Sequence, residues 1–282
     1  MKWVECPRDS WQGFKGFIPT AQKVAYLKRL LEAGFRHLDL TSFVSPKWVP
    51  QHADAEAVLA ELPPPGGREY LVIVANEKGL ERALQAQGVT SVGYPFSISE
   101  TFQLKNLNKT IADSWEQVAR MRDMAGNGLK FVVYLSMGFG NPYGDPWSPQ
   151  LPVEFVGRLR EMGVQEIALA DTYGVATAEV IGETLSAVVR AFGPEEIGAH
   201  LHSRPEGTLE KVDAVLASGV RWLEGALGGI GGCPFAGDDL VGNLSTELVL
   251  PYLARKGLEV GVRLESLAEL AGEAALLHTR YA

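Results

Sequence analysis

Short apolar runs alternate with helix-period stretches along the whole chain. Residues 70–74, Tyr70-Leu71-Val72-Ile73-Val74, form a continuous apolar run, the pattern of a parallel strand covered on both faces. Residues 3–6, 35–40, 91–96, 131–135, 166–170, 197–202 and 222–225 read as further strands. Helical periodicity follows most of them. Residues 21–32 place Val24, Leu27, Leu30 and Leu31 on one face, with Thr20 as the expected cap and Gly34 as the stop. Similar patterns cover residues 55–62, 79–87, 112–124, 153–162, 178–191, 208–217 and 246–254, and Pro63-Pro64-Pro65 ends the first of these. The count is about eight strand–helix units, which is that of a (β/α)8 TIM barrel, an α/β fold. A doubly wound sheet fits less well, because no glycine-rich dinucleotide fingerprint follows any strand. After Gly261, the leucines at 264, 267, 270 and 276 predict an additional C-terminal helix that covers the barrel or meets a partner subunit.

The length of 282 residues, with 46% hydrophobic and 21% charged, suits one catalytic domain over residues 1–282, its last segment, 262–282, being a helical extension. The net charge of −8 argues against a general nucleic-acid or anionic-membrane surface, and no apolar run is long enough to span a bilayer. Two cysteines, Cys6 and Cys233, are no secreted disulfide framework; with a strand-like start and no signal peptide, they point to the cytoplasm. Cys6 lies within a predicted strand and reads as a packed thiol.

Barrel active sites form at the C-terminal ends of the strands, and chemistry-bearing residues fall there. Strand one runs into Pro7-Arg8-Asp9-Ser10-Trp11-Gln12. Strand two carries Asp39, strand six ends in Asp171-Thr172, and strand seven ends in His200-Leu201-His202. In a strand, His200 and His202 point to the same side, about 7 Å apart, a ready pair of metal ligands. Asp9 alone reads as a turn residue and Asn243 alone as a helix cap. Together with the two histidines they form a nitrogen–oxygen set without thiolates, suited to Mg²⁺ or Mn²⁺. The glycines of residues 228–232 allow unusual backbone angles, so this loop could place the Cys233 thiol over the mouth.

At these residues the sequence resembles the 3-hydroxy-3-methylglutaryl-CoA lyase family, over nearly the whole chain. Residues 41–51 (Thr-Ser-Phe-Val-Ser-Pro-Lys-Trp-Val-Pro-Gln), 229–235 and 242–247 (Gly-Asn-Leu-Ser-Thr-Glu) carry the resemblance most specifically, with Asp171-Thr172-Tyr173-Gly174 and the His-x-His in support. The resemblance implies retro-Claisen cleavage of 3-hydroxy-3-methylglutaryl-CoA to acetyl-CoA and acetoacetate. It implies that Asp9, His200, His202 and Asn243 hold the metal, that Arg8 stabilises the enolate, and that Cys233 delivers a proton to the acetyl-CoA carbanion. His200 would also assist at the tertiary hydroxyl, and Asp171, Glu247 and Asp39 would be further catalytic polar groups. Gln12, Lys47 and Thr172 are the expected substrate-binding residues; Lys47, with Lys105 and Lys109, would face the phosphates of the acyl-CoA. A homo-oligomer, a dimer, is the expected assembly.

The chain departs from the family pattern at several points. Trp11 replaces a leucine, which would put bulk beside the mouth. Asp39 replaces a glutamate. Ser203-Arg204-Pro205 follows the histidines in place of Asp-Thr-Tyr, Asn141 stands where the family often has cysteine, and a shortened Glu5-Cys6-Pro7 leaves Glu5 unplaced. The alternatives are a lyase for a different 3-hydroxyacyl-CoA, a Claisen-type synthase or aldolase acting on a 2-oxo acid, a metal-dependent hydrolase and a non-catalytic barrel. The synthases would lack the Cys233 loop, and barrel hydrolases usually carry His-x-His after the first strand.

Overall fold

The computed structural model of the protein describes residues 1–232 and 241–282. Eight parallel strands close into a barrel in sequential order: β1 (Lys2–Glu5), β2 (His37–Ser42), β3 (Glu69–Ile73), β4 (Ser91–Ser97), β5 (Lys130–Ser136), β6 (Glu166–Asp171), β7 (Ile197–Leu201) and β8 (Trp222–Gly225). The ring of helices is α1 (Pro7–Trp11), α2 (Thr20–Glu32), α3 (Ala55–Ala60), α4 (Glu77–Gln85), α5 (Glu100–Leu107), α6 (Ile111–Ala125), α7 (Gln150–Glu161), α8 (Ala178–Phe192), α9 (Pro205–Ala217), α10 (Thr246–Arg255) and α11 (Leu267–Tyr281). Among the described residues, no helix is long and apolar enough to cross a membrane.

The predicted barrel and C-terminal helix are present, with local corrections. Strand two lies two residues later than expected, over His37–Ser42, because a register shift between Asp39 and Thr41 bulges it. Thr20 is not the cap of α2: Pro19 is, and the Thr20 hydroxyl instead donates to Asp54 (2.7 Å). Residues 7–11, where no helix was expected, form the short helix α1, which Pro7 starts because its missing N–H would be unpaired at that position. Trp11 does not narrow the mouth. It is buried against Tyr26 of α2, with ring centroids 5.9 Å apart, since the inner turn of α1 faces the helical layer.

Two cores follow from the alternation of side chains. The larger lies between strands and helices. The smaller fills the barrel interior with Val4, Cys6, Leu71, Val132, Tyr134 and Trp222, so Cys6 is the packed thiol expected of it. Gly198 makes room for Trp222, whose ring would lie 2.3 Å from a Cβ at that position. The N-terminal end of the barrel is closed by charge: Lys2 bridges Glu166 (2.6 Å) and Glu69 (3.0 Å), and Lys130 bridges Glu166 (2.7 Å). The opposite end is left for chemistry.

α11 packs along the outside rather than over the mouth. It buries Leu267, Leu270 and Ala274, and the Tyr281 carbonyl accepts from the Gly16 N–H (2.7 Å). The motif at residues 41–51 has a structural task as well. Gln51 accepts from the Ile18 N–H (2.9 Å) and donates to the Gly16 carbonyl (2.8 Å), tying the β2 loop to the segment that follows α1.

Candidate active site

Four of the predicted residues meet at the C-terminal mouth. One ligand atom each of Asp9, His200 and His202 lie within 4.8 Å of one another, and Asn243 donates from Nδ2 to Asp9 Oδ2 (2.7 Å). All four are buried. Asp9 arrives from the first turn of α1 and His200 from inside β7. His202 extends β7 by an antiparallel bridge to Asn243, and Ser203 donates its N–H to the Gly242 carbonyl (2.9 Å). Residues 242–245 of the 242–247 motif are therefore a strap across the ends of β7 and β8, and the Ala226–Ser245 bridge continues it. Gly231 packs directly over the cluster at φ 114°, where a Cβ would meet Asn243 Nδ2 at 2.5 Å and Asp9 Oδ2 at 3.0 Å.

The residues fit a divalent cation by their own chemistry. His202 donates from Nδ1 to the Thr172 carbonyl (3.1 Å), so its Nε2 carries a lone pair. That Nε2 and Asn243 Oδ1 are buried without a hydrogen-bond partner among the described residues, and Nε2 lies 3.9 Å from Asp9 Oδ2. Two orphaned acceptors beside a carboxylate need a cation or a donor to offset their desolvation. Burial opposes ionisation of Asp9, but Arg8, both histidines and the Asn243 amide together hold its carboxyl well below the usual range. Burial also lowers the pKa of His202, helped by neighbouring His200, which keeps its ring neutral and able to ligate.

Arg8 lies beside this cluster and is held from three sides. Its Nε and Nη2 donate to Asp39 Oδ2 at 2.9 and 2.6 Å, and its Nη1 donates to Asp9 Oδ1 (3.1 Å) and Gln12 Oε1 (3.0 Å). Gln12 in turn donates to Asp9 Oδ1 (2.7 Å). The spacing 8, 9, 12 on one short helix makes this possible, because residues three and four apart share a face. Burial raises the Asp39 pKa to about 6, outweighing the ion pair with Arg8.

The other predicted residues are spread around this centre. Asp171 is buried at the end of β6 and accepts from Lys211 Nζ (2.8 Å). Thr172 holds His202 by its carbonyl and accepts the Met137 N–H on its hydroxyl (3.0 Å). Glu247 accepts from the Gly228 N–H (3.0 Å), an anchor for the start of the glycine-rich loop rather than a member of the buried cluster. Lys47 is exposed and lies over the Trp48 ring, 5.4 Å from its centroid, outside the cluster. Cys233 lies outside the described residues. Asn141, in the place of a cysteine, organises a turn by accepting the N–H groups of Tyr143 (3.0 Å) and Asp145 (3.1 Å).

Four buried polar residues escaped the sequence reading as functional residues. Glu5 accepts from Leu227 N–H (2.7 Å) and from the Thr246 hydroxyl (2.6 Å), joining the end of β8 to the start of α10, and burial raises its pKa to about 7. Lys211 spends its ammonium on Asp171, on the His202 carbonyl (2.9 Å) and on the Gly174 carbonyl (3.1 Å). His52 bonds through Nε2 to the Arg8 carbonyl (3.2 Å) and through Nδ1 to the Thr41 hydroxyl (3.3 Å); burial and the charge of Arg8 lower its pKa to about 3. Glu224 stands beside His200. A lone charged residue inside an apolar strand carries no motif; only its place opposite His200 in the strand register would have exposed it.

Residues 1–273 match the family model described as HMGL-like. The mouse mitochondrial hydroxymethylglutaryl-CoA lyase is 36% identical over 264 residues, covering 93% of this chain and 81% of that protein. The solved structure of the HMG-CoA lyase from Brucella melitensis superposes with a TM-score of 0.91 at 34% identity, covering 99% of this chain and 98% of that one. The HMG-CoA lyase of Acinetobacter baumannii, solved with coenzyme A and 3-methylmalate, superposes with a TM-score of 0.91 at 28% identity, covering 98% and 91%.

Proposed function

The chain belongs to the HMGL-like family, and on that premise we propose that it cleaves 3-hydroxy-3-methylglutaryl-CoA to acetyl-CoA and acetoacetate with the help of Mg²⁺ or Mn²⁺. The observation that carries this reading is the pair of orphaned acceptors, His202 Nε2 and Asn243 Oδ1, beside Asp9 and next to a pinned arginine. Asp9, His200, His202 and Asn243 would hold the cation. When bound, it polarises substrate oxygens and makes the tertiary hydroxyl more acidic.

The protein's own residues account for the remaining steps. The C3 hydroxyl gives up its proton to a base, the C2–C3 bond breaks, and C3 becomes the ketone of acetoacetate. The bonding pair passes to C2 and the thioester oxygen as the enolate of acetyl-CoA. Arg8 faces that developing oxyanion with a guanidinium already oriented by Asp39, Asp9 and Gln12, so no reorganisation is needed as charge forms. Cys233 gives its proton to C2, completing the methyl group of acetyl-CoA, and regains one from the proton released at C3. A thiol acting in this way needs no nucleophilic role.

The acyl-CoA partner follows from the relatives named above, and the coenzyme A complex of the Acinetobacter baumannii enzyme supports it. Cytoplasmic placement and a dimer complete the proposal; light scattering on the purified protein reads the second directly. The test of the reaction is incubation with 3-hydroxy-3-methylglutaryl-CoA and identification of both products. Release of acetoacetate supports the lyase reading. Release of free coenzyme A from acetyl-CoA and a 2-oxo acid instead would replace it with a Claisen-type synthase.

A further inference from the structure

The strand register places Glu224 of β8 beside His200 of β7, both pointing into the barrel. Glu224 is 1% exposed and lies among four donors. Its Oε2 accepts from His200 Nδ1 (2.8 Å) and lies 3.8 Å from Cys6 Sγ. Its Oε1 accepts from Trp222 Nε1 (3.0 Å) and from the Tyr134 hydroxyl (3.1 Å). The carboxylate is therefore fixed from behind by two large side chains. Both have room only because the inner face of the barrel carries glycine next to them: a Cβ on Gly198 would lie 2.3 Å from the Trp222 ring, and one on Gly93 would lie 2.7 Å from the Tyr134 ring.

We propose that Glu224 is a positioning residue that locks His200 in the Nδ1–H tautomer and so presents its Nε2 lone pair to the Asp9–His202–Asn243 cluster. The proposal rests on the reading of that cluster as a divalent-metal site. A carboxylate behind a ligating imidazole fixes its orientation and raises its basicity. Cys6, His200 and Glu224 could be taken instead as a second metal set. The 2.8 Å separation of Nδ1 and Oε2 is that of a hydrogen bond, and ligands on one octahedral ion with bonds of ~2.1 Å sit roughly 3 Å or more apart. Burial also pushes the Cys6 thiol up, away from the thiolate a metal requires.

The chemistry of glutamine makes the proposal sharp. The Trp222 indole can only donate, so an amide in place of the carboxylate must turn its oxygen toward Trp222 and its NH₂ toward His200. The imidazole then accepts on Nδ1 and carries its proton on Nε2, the wrong tautomer for ligation. In Glu224→Gln, titration with Mn²⁺ followed by electron paramagnetic resonance is expected to show ~10- to 100-fold weaker binding than in the unsubstituted protein. Adding Trp222→Phe removes the obligatory donor and lets the amide turn back, so the double variant should regain affinity. A merely structural role predicts that the double variant binds no better than the single one. Independently of any variant, ¹⁵N NMR of the metal-free unsubstituted protein should show His200 protonated on Nδ1. Protonation on Nε2 without protonation on Nδ1 in that spectrum, or Mn²⁺ binding by Glu224→Gln within twofold of the unsubstituted protein, would overturn the proposal. Failure of the unsubstituted protein to bind Mn²⁺ would overturn the metal reading and the proposal with it.

Discussion

Arg8 gives two hydrogen bonds, from Nε (2.9 Å) and Nη2 (2.6 Å), to a single oxygen of Asp39. The other oxygen, Oδ1, is buried without a hydrogen-bond partner among the described residues. The pair is thus built to aim a guanidinium, with little other use made of the carboxylate. Lysine lacks the planar fork that gives Asp39 Oδ2 two parallel bonds while Nη1 reaches Asp9 and Gln12. In Arg8→Lys, steady-state kinetics should show turnover lower by roughly 10²- to 10³-fold, with Mn²⁺ affinity retained. Turnover within threefold of the unsubstituted protein would remove Arg8 from the oxyanion role.

His202 is the proposed ligand whose bare Nε2 lies 3.9 Å from Asp9 Oδ2. His202→Ala is expected to abolish stoichiometric metal binding, read by elemental analysis after dialysis. A fully occupied site in that variant would contradict the ligand assignment.

The role of Cys233 separates proton delivery from metal binding. Cys233→Ala should lose most turnover while its Mn²⁺ titration stays unchanged. Equal turnover would end the acid role.

Lys211 joins Asp171 to the main chain of His202. Lys211→Met strands a buried carboxylate and should cost about 3–5 kcal/mol in urea unfolding. The double variant with Asp171→Asn removes the stranded charge and should recover part of that loss. A double variant less stable than the single one would show that the Asp171 carboxylate is not stranded without the ammonium, its bond from the Ala176 N–H (3.3 Å) sufficing.

Glu5 carries a pH dependence of known sign. Its pKa is raised by burial from 4.5 to about 7 in the folded protein. Its contribution to stability is therefore complete below about 4.5 and is lost as pH rises through about 7. Glu5→Gln lacks this loss. Between pH 5 and pH 8 the stability of the variant relative to the unsubstituted protein should rise by roughly 2 kcal/mol. A difference that does not change with pH would show that Glu5 is not protonated in the folded state near neutrality.

The barrel was legible because its strands are apolar runs bounded by helical periods, and β3 is the clearest example. The ends of β2 were not, since a bulge between Asp39 and Thr41 leaves no trace in apolar periodicity. Helix α1 was too short for any period, and so the direction of Trp11 was misjudged. Asp9, His200, His202 and Asn243 could be grouped before the structure because ligand chemistry is restricted to few residue types, and the barrel brings them together. Glu5, His52, Lys211 and Glu224 each bond at least one partner 40 or more residues away, and only tertiary structure supplies those partners. Lys47, expected to meet the phosphates of the acyl-CoA, lies exposed outside the buried cluster.

The most direct measurement is kcat/KM for 3-hydroxy-3-methylglutaryl-CoA with chelator, and again after adding Mg²⁺ or Mn²⁺. The account predicts that acetoacetate release stops in chelator and returns with either metal. Undiminished cleavage in chelator, or none by folded protein loaded with metal, would contradict it.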